Sequence, residues 1–405
     1  MTGEAARADQ PETIEYEPLP CADFGGSLLE FIYAHLDERC KADAVQLLNS
    51  TVPGADDVAA ALNNPMLRAQ AIRVVTEGVS QPTQRLGRRA DYNNRSVEDS
   101  LDSTALRRAF AGGSTVVVED VGKWHPHVAS ICNTIFNERW LYANAAYFMT
   151  RSGNRGLPFH ADEETTFVFQ VAGSKIWHVA DYAERRLGAA EVPRKARVFQ
   201  FDLRPGNAAC IPPMHPHRTE AVGGLDSIHL TIGVRQFKLK DFFTDFAQRG
   251  TYRVPVLDQE VASIDSSIDT VINALHGSSG EEWRREFAIS SIRVASGSVD
   301  RGFEFACQTA NAVAKRDREP VLGDLIWKVR LGSRWLVHHS GAFAVMDDSR
   351  VDALAAAVAL RSSEGCTWQQ LAGRGRVPPS VQQFLRAAGW DIGVEARLEE
   401  TGSHR

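Results

Sequence analysis

The chain has 405 residues, enough for two or three domains with a sizeable buried core. Hydrophobic residues make up 43% and charged residues 24%, an ordinary globular balance. No apolar run reaches the roughly 18 residues of a transmembrane helix, and a net charge of −6 argues against bulk nucleic-acid binding while leaving room for a locally basic substrate.

Met1-Thr2-Gly3-Glu4 lacks the basic and apolar regions of a signal peptide. Cys21, Cys40, Cys132, Cys210, Cys307 and Cys366 show no C-x-x-C spacing, so reduced thiols of a cytoplasmic protein are expected. Residues 1–22 are polar and acidic, with Pro11, Pro18 and Pro20, and read as a flexible lead-in. Residues 23–114 read as a helical N-terminal region leading into a barrel. Within them Leu28, Leu29, Phe31, Ile32, Leu36, Ala44, Leu47 and Leu48 recur at helical spacing. Arg85, Arg88, Arg89 and Arg95 fall in a loop-rich approach over 81–104.

From residue 115 to 238 the pattern turns to short β-rich runs. The most informative segment is Leu157-Pro158-Phe159-His160-Ala161-Asp162, with Lys175 fifteen positions after His160. His160 and Asp162 are two apart, so on a strand they share a face, as two ligands of one ion require. Phe167-Val168-Phe169-Gln170-Val171, the turn Ala172-Gly173-Ser174 and Lys175-Ile176-Trp177-His178-Val179 read as a hairpin. Trp177 is expected in the core and His178 at the surface. Further on, Ile211-Pro212-Pro213-Met214-His215-Pro216-His217 offers two histidines on one face. His217 precedes Arg218-Thr219-Glu220-Ala221-Val222, where a strand can restart and hold it rigidly, so it is favoured over His215. Two imidazoles and a carboxylate hold one face of an iron(II) ion and leave the other open. Lys175 supplies a positive charge where a dicarboxylate co-substrate needs an anchor. His229 and Thr231 alternate on a later strand, with His229 read as a hydrogen-bonded core histidine.

Ala111 to Val118, Leu157 to Val179 and Ser227 to Val234 resemble the JmjC-type, cupin-like ribosomal-protein hydroxylases. The resemblance covers about residues 85–240 and continues loosely to the C-terminus. It implies a mixed fold with a mainly β core, the double-stranded β-helix of a JmjC/cupin barrel. It also implies iron(II) on His160, Asp162 and His217, with 2-oxoglutarate on Lys175 as co-substrate beside molecular oxygen. The family usually places an Asn, one residue and a Tyr on the strand before the H-x-D. Here Asn144-Ala145-Ala146-Tyr147 is one residue longer, so on a regular strand the two face opposite ways. Tyr147 is favoured over Asn144 as a co-substrate contact.

Beyond the barrel, residues 239–290 carry helical stripes: Phe242, Phe243 and Phe246, then Ile264, Ile268, Val271, Ile272 and Leu275. The resemblance reads them as a homodimerisation region. Residues 291–405 hold strands around the turn Gly332-Ser333 and helical patches over Val351 to Leu360, Thr367 to Leu371 and Val381 to Ala388, resembling a C-terminal winged-helix-like domain. The function expected is hydroxylation of a C–H bond in a protein or peptide side chain, such as one of a ribosomal protein. The alternatives are hydroxylation of a peptide natural product or amino-acid derivative, and a metal-binding cupin or regulator without oxygen chemistry.

Overall fold

The computed structural model describes residues 16–37, 42–47, 54–64, 67–92, 95–193, 195–250, 280–296, 325–339, 342–364 and 366–387. The chain divides into two units, residues 1–132 with 143–235, and residues 133–142 with 236–405.

The first unit begins with β1 (Tyr16–Pro18), β2 (Ala22–Phe24), α1 (Leu28–Asp37), β3 (Asp43–Leu47), α2 (Ala55–Leu62), β4 (Ile72–Thr76) and β5 (Val79–Ser80). There follow β6 (Gly87–Tyr92), β7 (Arg95–Leu101), α3 (Ser103–Ala111), β8 (Thr115–Val118), α4 (Pro126–Arg139) and β9 (Tyr142–Thr150), of which α4 and β9 straddle the division. The barrel continues through β10 (His160–Ala161), β11 (Thr165–Ala172), β12 (Ser174–Ala180), β13 (Gly188–Ala189), β14 (Val198–Leu203), β15 (Asn207–Ile211), β16 (His217–Val222) and β17 (Ser227–Arg235). A six-stranded sheet runs β1-β14-β12-β16-β10-β13, and a nine-stranded sheet runs β2-β3-β15-β11-β17-β9-β8-β4-β5. Val168 and Ile211 of one sheet pack with Trp177, Phe201 and Leu203 of the other. This is the double-stranded β-helix expected from the sequence.

Local chemistry explains the key hairpin. β11 is rich in Thr, Val and Phe, which suit a pleated, half-buried surface. At its end Gly173 takes φ +61°, and a Cβ there would run into the backbone of Asp226. Only glycine meets both demands, so the chain turns there and β12 starts the crossing into the other sheet.

The N-terminal region departs from a purely helical reading. The helical pattern begun at Leu28 stops at Asp37, and Ala44 and Leu47 lie on β3, which pairs antiparallel with β15. The arginine-rich approach is an antiparallel hairpin of β6 and β7, with Arg89 near Asp91 and Glu98 across it. His178, expected at the surface, is buried, with Tyr16 of β1 set 4.7 Å from its ring. Burial first, then the Arg218 charge, pulls its pKa down to about 4.

In the second unit, α5 (Leu239–Gly250) stacks Phe242 on Phe287 of α6 (Gly280–Ser296). The stripe from Ile264 to Leu275 lies outside the described residues, as do Cys40, Cys307 and residues 1–15. A three-stranded antiparallel sheet, β18 (Trp327–Leu331), β19 (Arg334–His339) and β20 (Ala342–Met346), precedes α7 (Asp348–Glu364), α8 (Trp368–Gly373) and α9 (Pro379–Ala387). Trp368, Leu371, Phe384 and Leu354 form a core with Val337 of the sheet. Arg374 and Arg376 sit after α8 and both approach Glu364. No described helix is long and apolar enough to cross a membrane.

Candidate metal and co-substrate site

Three expected ligands converge at one end of the barrel. β10 pairs antiparallel with β16 so that His160 sits directly opposite His217. The ligand atoms of His160, Asp162 and His217 all lie within 4.8 Å of one another. Asp162 Oδ2 is 3.6 Å from His160 Nε2 and 3.6 Å from His217 Nε2.

Backbone contacts aim these groups. His160 Nδ1 donates to the Pro158 carbonyl at 2.8 Å, and His217 Nδ1 donates to the His215 carbonyl at 3.0 Å. Each imidazole therefore presents the Nε2 lone pair, and the carbonyl fixes tautomer and ring orientation. The Pro212-Pro213 turn is tied to the H-x-D segment by Met214 N–H, which donates to the Asp162 carbonyl at 2.7 Å. Met214 adopts φ +65°, a left-handed conformation costing a non-glycine residue roughly 1–2 kcal/mol. His217 is buried, and its pKa is pulled down to about 4 by burial first and then by His160, against the opposing pull of Asp162. A neutral imidazole is the form that binds a metal. His215 instead donates Nδ1 to the Pro213 carbonyl and is not one of the three converging residues.

Lys175 lies on β12, opposite Ala221 of β16. Its side chain is buried, with 1% of the residue exposed. Nζ donates to Thr150 Oγ1 at 3.0 Å and to His229 Nδ1 at 3.2 Å. Among the described residues no carboxylate pairs with it, and burial pulls its pKa down to about 7. An ammonium left this far from water without an anion is costly. A small pocket joins Lys175 to His160, Asp162 and His217. Its wall also includes Phe148, Thr150, Thr166, Trp177, Thr219 and Thr231.

The two other expected contacts fall elsewhere. β9 pairs regularly with β8, without a bulge at Tyr147 to Met149. Alternation therefore puts Tyr147 on the face opposite Phe148 and Thr150, and Tyr147 is buried outside the pocket wall. Asn144 shares the face of Phe148 and Thr150 but reaches Glu164 and does not line the pocket. Phe148 and Thr150 thus occupy the wall where Tyr147 was expected. Nothing in the sequence marks Thr150 beyond its even spacing from Asn144. His229 is a buried, hydrogen-bonded histidine as expected, and it also lines the pocket with Thr231.

Residues 123–242 match the JmjC domain family. This segment is a JmjC domain. Ribosomal oxygenase 2 of Mus musculus is 33% identical over 94 residues, 22% of this chain and 20% of that protein, and the protein of the same name from Rattus norvegicus matches equally. The match thus spans only about a fifth of these curated relatives' length. The crystal structure of Escherichia coli ribosomal oxygenase YcfD is similar in fold, with a TM-score of 0.52 at 16% identity, covering 88% of this chain and 95% of that one. A second YcfD structure, in complex with cobalt and 2-oxoglutarate, aligns with a TM-score of 0.50 at 14% identity over 88% and 95% of the two chains. The resemblance to the JmjC-type ribosomal hydroxylases holds at the level of domain family and fold.

Proposed function

We propose that the JmjC domain carries an iron(II)- and 2-oxoglutarate-dependent hydroxylase acting on a protein or peptide side chain. The observation that carries this reading is the buried Lys175 ammonium, without a carboxylate partner among the described residues, sharing one pocket with His160, Asp162 and His217. The donor set fits the metal. Two Nε2 atoms and a carboxylate leave positions for a chelating co-substrate and oxygen, as in other non-haem iron oxygenases. The anion-seeking ammonium fits the distal carboxylate of 2-oxoglutarate, and YcfD, whose fold is similar, has been crystallised in complex with cobalt and 2-oxoglutarate.

When bound, iron(II) supplies the redox chemistry that couples oxidative decarboxylation of 2-oxoglutarate to insertion of oxygen into a C–H bond. The chain's own residues do the rest. His160, Asp162 and His217 hold the metal, Lys175 orients the dicarboxylate, and Thr150 fixes the ammonium. Phe148, Leu157 and Trp177 keep the wall apolar and limit water.

Names of the relatives point to a ribosomal protein as substrate. An open cleft of about 1230 Å³ adjoins the pocket, sharing Gly156, Leu157 and Thr219 with it. Its rim carries Glu77, Arg155 and Arg218. The test is purified protein with iron(II), 2-oxoglutarate and ascorbate, alongside mass spectrometry of wild-type and deletion-strain extracts. Succinate formation and a protein that loses one oxygen's mass in the deletion strain are expected. Absence of succinate from every extract-supplemented reaction would overturn the reading, and an oxygen lost only from small metabolites would move the substrate to that class.

A further inference from the structure

Pro158 supplies the carbonyl that accepts from His160 Nδ1 at 2.8 Å. The direction of that carbonyl sets the ring of a candidate metal ligand, so whatever holds Pro158 bears on the metal. The chain is pinned on both sides of it. Gly156 N–H donates to the Thr219 carbonyl at 2.9 Å, and the Phe159 carbonyl accepts from Ala190 N–H at 2.9 Å. Pro158 lies between these two bonds.

The proline ring meets a turn of the other sheet. β4 and β5 pair Thr76 with Val79, which leaves Glu77-Gly78 as a two-residue hairpin loop. Both loop residues have positive φ, 50° at Glu77 and 81° at Gly78, as in the tight turns that match the twist of their strands. The turn is anchored in its turn: the Thr76 and Ser114 hydroxyls share a hydrogen bond at 2.8 Å, and Gln81 N–H donates to the Val74 carbonyl at 2.8 Å. A Cβ on Gly78 would stand 2.7 Å from Pro158 Cγ and 2.8 Å from Pro158 Cδ. These carbons close a ring on the proline's own backbone nitrogen, so they cannot swing aside as the end of a flexible side chain would. Gly78 therefore meets two demands, a left-handed φ and a close seat for Pro158.

The geometry points to Gly78 as a positioning residue for the metal ligand His160: the β4–β5 turn seats the Pro158 ring, and the seated residue's carbonyl aims the imidazole. The inference rests on the reading of His160, Asp162 and His217 as a metal site. It ties an edge turn of the nine-stranded sheet to a ligand carried by the six-stranded sheet. A methyl group at position 78 pushes Pro158 between its two pinned neighbours, so the displacement reaches the carbonyl and turns the His160 ring away from the point the three ligands share.

The test reads the metal rather than turnover, because Gly78 and Pro158 also line the cleft. Cobalt(II) is the probe: calorimetry gives its affinity, and the visible absorption of the bound ion reports the ligand geometry. Gly78→Ala should weaken cobalt binding about tenfold, the usual loss when the support of a ligating histidine is disturbed, and should alter the absorption band. Gly224→Ala is the matched control. Gly224 has the same φ of +81° with nothing within 4 Å of an added Cβ, so it takes on the backbone strain without the collision and should keep cobalt affinity within about twofold of wild type. Pro158→Ala removes the ring but keeps the carbonyl. Alone it should weaken cobalt by less than Gly78→Ala does, and in its background Gly78→Ala should cost no more than about a further twofold, the non-additivity expected of residues in contact. Equal cobalt affinity and spectra in Gly78→Ala and Gly224→Ala would overturn the inference and leave the turn a part of the fold only. The same loss from Gly78→Ala with and without the Pro158 ring would overturn it as well. If Gly78→Ala does not fold, as its thermal midpoint reports, Pro158→Ala decides: weakened cobalt binding with an altered band supports the seat, and wild-type affinity overturns it. Wild-type protein that binds no cobalt(II) would instead overturn the metal reading of the pocket, and this inference with it.

Discussion

Replacing Lys175 is the sharpest challenge to the proposed function. The ammonium is buried, hydrogen-bonded to Thr150 and His229, and without a carboxylate partner among the described residues. A carboxylate about 3 Å away at an effective dielectric of about 20 gains roughly 5 kcal/mol of Coulomb energy before desolvation. Removing one member of a buried pair costs on the order of 3–5 kcal/mol, more than a hundredfold in affinity. Lys175→Ala should therefore raise the Kd for 2-oxoglutarate more than a hundredfold, measured by calorimetry on cobalt-loaded protein, and raise the half-saturating concentration in succinate formation. Cobalt affinity should stay nearly unchanged, because the three candidate ligands do not touch Lys175. Lys175→Met separates binding from folding. It keeps most of the volume and removes the unpaired buried charge, so its thermal midpoint should equal or exceed wild type while 2-oxoglutarate affinity is lost. Lys175→Arg should lose less than Ala, since charge remains, although the planar fork needs different space. Unchanged 2-oxoglutarate dependence in Lys175→Ala would refute the reasoning, and a metal-binding cupin without this co-substrate would become the better reading.

The remaining outcomes concern the ligands, the charge of Lys175 and the second unit. His160→Ala and His217→Ala should abolish iron-dependent turnover and tight cobalt binding while His215→Ala keeps most of both; the reverse result for the last two would move the ligand to His215. Burial draws the Lys175 pKa from 10.5 down to about 7, so the empty site holds a largely neutral amine at pH 8, and binding a dianion must draw a proton onto it. Calorimetry at pH 8 in two buffers of different ionisation enthalpy should show proton uptake that disappears in Lys175→Arg, which still binds but whose guanidinium is charged before and after binding, and uptake that persists in that variant would exclude Lys175 as its source. The same shift means the unfolded chain binds more protons between about pH 7 and 10.5, so the stability cost of burying Lys175 is full below pH 7 and is relieved as pH rises. Leu239, Phe243 and Trp140 of the second unit are 66%, 49% and 51% exposed, and at about 25 cal/mol per Å² such surface favours a two-fold dimer; light scattering should show a dimer that Phe243→Glu weakens, and a wild-type monomer at micromolar concentration would rule it out.

The candidate ligands were legible because their chemistry is local. His160 and Asp162 needed only a strand to share a face, and the Pro212-Pro213 turn marked where His217 re-enters the sheet. Tyr147 falls outside the pocket wall because one added residue after Asn144 reverses its face, and the regular pairing of β8 with β9 supplies no bulge to restore it. Ala44 and Leu47 fit a helical period because a five-residue apolar strand is too short to distinguish by spacing. His178 sits where alternation predicts solvent, and Tyr16, far away in sequence, packs on it. Thr150 and the Lys175–His229 contact are likewise non-local. They depend on β9, β12 and β17 meeting at one height in the barrel.

That height gives the pocket a direction. Side-chain exposure falls from 47% at Asp162 to 20% at His160 and 5% at His217, and Lys175 is 1% exposed. On the paired strands β12 and β16, His217 lies opposite Val179 and Lys175 opposite Ala221. Four residues of strand, roughly 13 Å at about 3.3 Å per residue, therefore separate the backbone of the deepest candidate ligand from that of the buried cation. Both side chains point inward and close part of that gap, and the space left runs along the sheet. A molecule with a negative group at each end is matched to this arrangement, one end at the exposed ligand cluster and the other at the dry ammonium. A monoanion satisfies only one of the two. The same gradient decides where a substrate enters. The inner end is closed by Thr150, His229 and Lys175, while the ligand end opens toward the cleft through Gly156, Leu157 and Thr219. A Cβ on Gly156 would collide with Thr219 Oγ1, so Gly156→Val should press on the shared wall of pocket and cleft. With 2-oxoglutarate held from the far end by Lys175, that variant should lower turnover of a polypeptide substrate more than it changes the Kd for 2-oxoglutarate. Equal loss of both would place the substrate's approach elsewhere on the barrel.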